Sequence, residues 1–148
     1  MSSTDRTRTM TSVAVMLGLA GVIATHVMDL PGKLSETPYL GVLYIALIIA
    51  SGYLIQRIIA KGDRLAFLGA AGLSAAVFAG YVINRTVGMP GATDDIGNWM
   101  EPLGVLALVC EAFVVWQGIA AARLVMRSTP VAAMTLGTPV TRERVSAS

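Results

Sequence analysis

Four stretches of this chain are almost free of charged side chains, and polar clusters separate them. They cover residues 10–29, 39–60, 65–84 and 100–125. Each approaches or exceeds the roughly 20 apolar residues that carry a helix across a hydrocarbon core about 30 Å thick. A helix that crosses lipid satisfies its own backbone, so the pattern predicts an all-α, membrane-embedded four-helix bundle. One transmembrane domain, 10–126, is expected between a polar N-terminal tail, 1–9, and a flexible Ser/Thr/Pro/Arg-rich tail, 127–148.

The spans differ in texture. Ala14, Gly18, Gly21 and Thr25 place small residues on one stripe of the first, where a neighbouring backbone can come close. That span is predicted to break at Leu30-Pro31-Gly32. The second spreads Leu and Ile around its circumference and is expected to show a broad face to lipid. The tight turn Lys61-Gly62-Asp63-Arg64 makes spans two and three antiparallel neighbours. Span three carries Gly72, Ala76 and Gly80 on one stripe and Ala71, Ala75 and Ala79 on the next, which predicts the most tightly packed helix of the bundle. Pro102 fits the first turn of span four, where its missing N–H costs nothing.

Composition agrees with this picture. Only 14% of residues are charged, against about 25% in soluble domains, and 55% are hydrophobic. The net charge of +2 does not point to nucleic acid, because the basic residues form no stripe. They act as topology signals instead. Arg6, Arg8, Arg57, Lys61, Arg64, Arg123, Arg127, Arg142 and Arg144 share one side of the four-span arrangement, whereas Lys33 and Arg85 have the other. Positive residues gather on the cytoplasmic side, which predicts a multi-pass protein of the cytoplasmic membrane with both termini inside. The apolar run after Arg8 is too long for the core of a cleaved signal peptide. One cysteine, Cys110, allows neither an internal disulfide nor a cysteine-based metal site.

Candidate chemistry collects at the outer ends of the spans. His26 and Asp29 are three apart and share a helix face. Arg85 closes span three and Glu101 opens span four, so Arg85 is expected to pair with Glu101 or Asp29. Glu111 stands apart, about ten residues or roughly 15 Å into span four. An ionised carboxyl at that depth costs on the order of 2–3 kcal/mol or more. Glu111 is therefore predicted to face the interior uncharged, bonded across helices to Ser74, Tyr44 or Tyr81, or to take part in a relay with His26 and Glu101. A copper(I) site from His26 with Met28, Met89 and Met100 is chemically reasonable, but the spacing matches no ligand motif, and no metal or cofactor is expected.

The segments Glu36-Thr37-Pro38-Tyr39-Leu40-Gly41, Asn84-Arg85-Thr86-Val87-Gly88-Met89-Pro90 and Trp99-Met100-Glu101-Pro102-Leu103-Gly104, with His26, Pro31 and Glu111, resemble a group of small four-span integral membrane proteins of actinobacteria. The resemblance covers roughly residues 12–120. It implies the four-span architecture and draws attention to the outer cluster; that group is largely uncharacterised and no activity comes with it. No nucleophile with a poised base is visible, so the chain is read as non-enzymatic. It is expected to be an accessory or binding component whose candidate residues are His26, Asp29, Arg85, Glu101 and Glu111. The lipid bilayer is its first partner, with another membrane protein or a second copy as the expected macromolecular one. The alternative is a small transporter or proton-coupled permeation protein that titrates Glu111.

Overall fold

The computed structural model describes residues 3–127, and every regular element among them is helical. Helix α1 runs Ser3–Glu36, α2 Pro38–Ala60, α3 Arg64–Thr86 and α4 Pro102–Arg127, with one 3₁₀ turn at Thr93–Asp95. All four helices are long and apolar enough to cross a membrane. The expected C-terminal tail lies, from residue 128 on, outside the described residues.

Two boundaries differ from the sequence expectation. Residues 3–9 are the first turns of α1 rather than a separate tail. The break at Pro31 does not occur either: α1 continues through it to Glu36, 34 residues in all, and Thr37 N–H still donates to the Lys33 carbonyl at 2.9 Å. An internal proline removes one backbone bond and crowds the preceding turn. Here the continued helix sets Lys33 on the same face as His26 and Asp29, since positions three, four and seven apart line up.

The ends follow local chemistry. Pro38 opens α2 at a position that needs no N–H donor. Asp63 caps α3 by accepting from Ala66 N–H at 2.8 Å and also binds Arg57 at 2.9 Å. The Arg57 hydrogen bond first, then the Ala66 N–H, hold the Asp63 carboxyl below its ordinary range. Gly62 and Gly88 take φ of +54° and +84°, which lets the chain turn out of α2 and α3.

Around the bundle the order is α2–α1–α4–α3, with three closed seams and one loose seam between α2 and α3. Small residues set the close approaches. A Cβ added to Gly18 would lie 2.6 Å from Val114 Cγ2, one at Gly21 2.7 Å from Cys110 Sγ, and one at Gly118 2.9 Å from the Phe67 carbonyl oxygen. The first two belong to the stripe predicted for span one. Val15, Leu19, Phe67, Ala70, Val114 and Ala121 fill the core at the end that holds the start of α1 and the end of α4.

Span three is not the tightly packed centre that its small residues suggested. Gly72, Ala75, Ala76 and Ala79 are exposed, and a Cβ at Gly72 would meet nothing within 4 Å. The central pair is α1 and α4, each of which closes two seams. Helix α3 packs on α4 through buried residues that include Phe67 and Ala71, and only Ala76 and Gly80 of its small stripe line the gap toward α2.

Candidate functional site

The loose seam opens into a cavity. Helices α2 and α3 touch near their connecting turn, where a Cβ on Gly69 would come within 3.1 Å of Leu54, and part beyond it. The space between them, backed by α1 and α4, has a volume of about 460 Å³. Leu40, Leu43 and Leu47 of α2 face Leu73, Ala76 and Val77 of α3 across it. These walls are apolar. Its polar groups lie toward the end formed by the α3–α4 loop, here called the loop end.

Arg85 organises that end. Its side chain is only 3% exposed, and its two terminal nitrogens bind the carboxylates of Asp95 and Glu101, with a further bond to the Asp95 carbonyl at 3.1 Å. Lys33 reaches Asp95 at 3.4 Å and Glu36 at 3.7 Å, and Asn84 Nδ2 donates to Asp95 at 2.8 Å. The Arg85 guanidinium also lies 4.9 Å from the centre of the Tyr81 ring, while Tyr81 donates to the Trp99 carbonyl at 3.2 Å. Gly104 makes room for that ring, because a Cβ there would sit 2.6 Å from Tyr81 Cε2. The network ties α1, α3, the loop and the start of α4 together. Burial pushes the Asp95 carboxyl up, but the bonds from Asn84 and Arg85 and the charges of Lys33 and Arg85 outweigh it and hold it below its ordinary value.

One to two turns deeper the polar groups are arranged differently. His26 Nδ1 lies 2.8 Å from the Val22 carbonyl oxygen. A carbonyl only accepts, so Nδ1 carries the proton, and Nε2 of the neutral ring is left as an acceptor. That Nε2 is 4.0 Å from Glu111 Oε1, beyond hydrogen-bond reach. The Tyr44 ring stands edge-on to His26 at 4.6 Å, and its hydroxyl donates to Asp29 at 3.1 Å. Glu111 is 1% exposed, and neither of its carboxyl oxygens has a hydrogen-bond partner. The predicted cross-helix bond is therefore absent. Tyr44 is committed to Asp29, Tyr81 to Trp99, and Ser74 is itself buried without a partner.

All five residues singled out from the sequence, His26, Asp29, Arg85, Glu101 and Glu111, line this one cavity. Of the two pairings offered for Arg85, Glu101 is found and Asp29 is not. Lys33, Asn84 and Asp95 are not among those five, and Tyr44 was expected only as a partner of Glu111. The charge count held a hint: among the described residues, Lys33 and Arg85 are the only lysine or arginine side chains at this end, beside several carboxylates. Met28 and Met100 are 67% and 82% exposed, so the sulfurs of the conceivable copper(I) set do not converge on His26. Among the described residues, no group of three or more His, Cys, Asp or Glu side chains could hold a metal ion.

Comparison with known proteins returns nothing: no family model, curated protein or solved structure matches this chain. The chemistry of the cavity is thus read from its own atoms. Its lining offers Glu111, His26 Nε2 and the partnerless Asn84 Oδ1 as acceptors, and the partnerless Arg85 Nε as a donor. The remaining cationic nitrogens there are engaged with carboxylates.

Proposed function

We propose that this chain is a non-enzymatic integral membrane protein of the cytoplasmic membrane, with both termini in the cytosol, that binds an amphipathic small molecule between α2 and α3. The observation that carries this reading is the cavity itself. Its volume of about 460 Å³ lies in the range of roughly 300–1,000 Å³ typical of small-molecule sites, and its apolar walls end in a few convergent polar groups. The loose α2–α3 seam gives a molecule dissolved in lipid a lateral way in, while the Arg85 network closes the loop end. Leu17, Val42, Ile49, Ile59, Val109 and Trp116 are exposed on the bundle surface, as suits a lipid-facing exterior.

The orientation rests on the distribution of lysine and arginine. The same reading groups the chain with the small four-span actinobacterial proteins that it resembles. A further membrane protein or a second copy would dock on the exposed apolar faces.

The test is purification into nanodiscs, followed by mass spectrometry of the small molecules retained. Wild type should carry a compound that the cavity-filling variant Ala76→Trp lacks; identical profiles would refute the binding role. The runner-up, proton-coupled permeation through Glu111, draws support from the unpartnered carboxyl near His26. Against it, Leu19, Phe67 and Val114, each almost fully buried, plug the bundle on the side of the α2–α3 turn. Flux in liposomes that disappears in Glu111→Gln would favour permeation over binding.

A further inference from the structure

The bonding capacity left over in the cavity points to the class of molecule that fits it, an inference resting on the binding role just proposed. Both loop-end carboxylates that line the cavity have a cationic partner: Asp95 has Arg85 and Lys33, and Glu101 has Arg85. Two further carboxyls line the same space with no lysine or arginine within 4.0 Å. Asp29 receives one hydrogen bond, from the neutral Tyr44 hydroxyl. Glu111 receives none at either oxygen, although it is 1% exposed. His26 cannot donate to it at 4.0 Å, and its proton is committed to Val22. A buried carboxyl left so costs stability, and the cost is recovered when something with donors and positive charge fills the site.

We propose that the occupant is a lipophilic amine, with its ammonium group at Glu111 and its apolar body along Leu43, Leu47, Leu73 and Val77. An ammonium carries donors and no acceptor, which complements Glu111 and the His26 Nε2. Its charge also suits Asp29, whose hydrogen bond comes from a neutral hydroxyl. An alcohol would supply one donor without the charge. A carboxylic acid would add a like charge to a site already short of cations.

The experiment uses the full chain in phosphatidylcholine nanodiscs, titrated calorimetrically with phenylbutylamine, phenylbutanol and phenylbutanoate, with empty discs subtracted. The amine should bind about tenfold or more tighter than the alcohol, and the acid more weakly than either. Glu111→Gln, which keeps the shape, should lose about tenfold or more for the amine and leave the alcohol unchanged. Asp29→Asn should weaken the amine by a smaller factor, and Ala76→Trp should remove both ligands. Gel filtration and thermal unfolding check that each variant is folded. Equal amine binding by wild type and Glu111→Gln, or an alcohol or acid that binds as well as the amine, would overturn the amine assignment. If Ala76→Trp still abolishes binding in that case, the cavity keeps its role and only the ligand class falls. No binding of any probe, or binding unaffected by Ala76→Trp, would remove both.

Discussion

Arg85 and Glu111 are almost equally buried, at 3% and 1% exposure, and both line the same cavity. Their surroundings are opposite. Arg85 is gripped by two carboxylates and a backbone carbonyl, whereas Glu111 touches no donor at all. Burial alone therefore does not say what a charge is for. A buried ion held by well-placed counter-charges organises structure, and removing one member leaves the others stranded. A buried carboxyl with nothing bound to it is a structural liability, kept where function needs it.

The largest effect expected from this contrast is on the saturated side. Arg85→Met leaves Glu101 without a cation and Asp95 with Lys33 and Asn84 alone, and should cost about 3–5 kcal/mol of unfolding free energy. Reversible unfolding in mixed micelles measures it; a loss no larger than that of an ordinary surface substitution would show that the network holds nothing together.

The next pair separates a closed seam from an uncovered helix face. Gly118→Leu forces a side chain against the Phe67 backbone and should cost about 1–3 kcal/mol. Gly72→Leu, where an added Cβ meets nothing within 4 Å, should change stability by less than about 0.5 kcal/mol. Equal losses at the two sites would mean that the Gly72 face of α3 is covered by a neighbour in lipid. At Glu111 the expected sign reverses: Glu111→Leu should raise stability by about 1–3 kcal/mol while abolishing amine binding.

These contrasts were only partly legible beforehand. Charge scarcity and the length of each apolar run expose four membrane-length helices, and the four-residue turn after Ala60 fixes α2 beside α3. Helical spacing sets His26 and Asp29 on one face. What spacing does not encode is which neighbour each face meets. The Gly72-Ala76-Gly80 stripe looks like a packing surface, yet Ala76 and Gly80 line a cavity because α2 and α3 diverge. Lys33 was hidden for a similar reason. Only the continuation of α1 through Pro31 carries it to Asp95, some sixty residues along the chain.

The smallest effect is one of pH. Asp95 titrates below its ordinary value of 3.8 in the folded protein, so its contribution is complete above that value and is lost as pH falls through the depressed one. Hydrogen exchange across residues 87–101 should rise over that acid range, and Asp95→Asn should show faster exchange already at neutral pH. Exchange that stays flat in both would mean that the loop is held by other contacts.

The most direct check of the contrast between the two buried ionisable residues is the unfolding free energy of Glu111→Leu beside that of wild type, in the same lipid, with and without phenylbutylamine. A carboxyl reserved for a ligand predicts that the leucine variant is the more stable without amine, and that added amine stabilises only wild type. If Glu111→Leu instead unfolds as readily as Arg85→Met, Glu111 is a structural element of the bundle and the distinction drawn between the two residues is wrong.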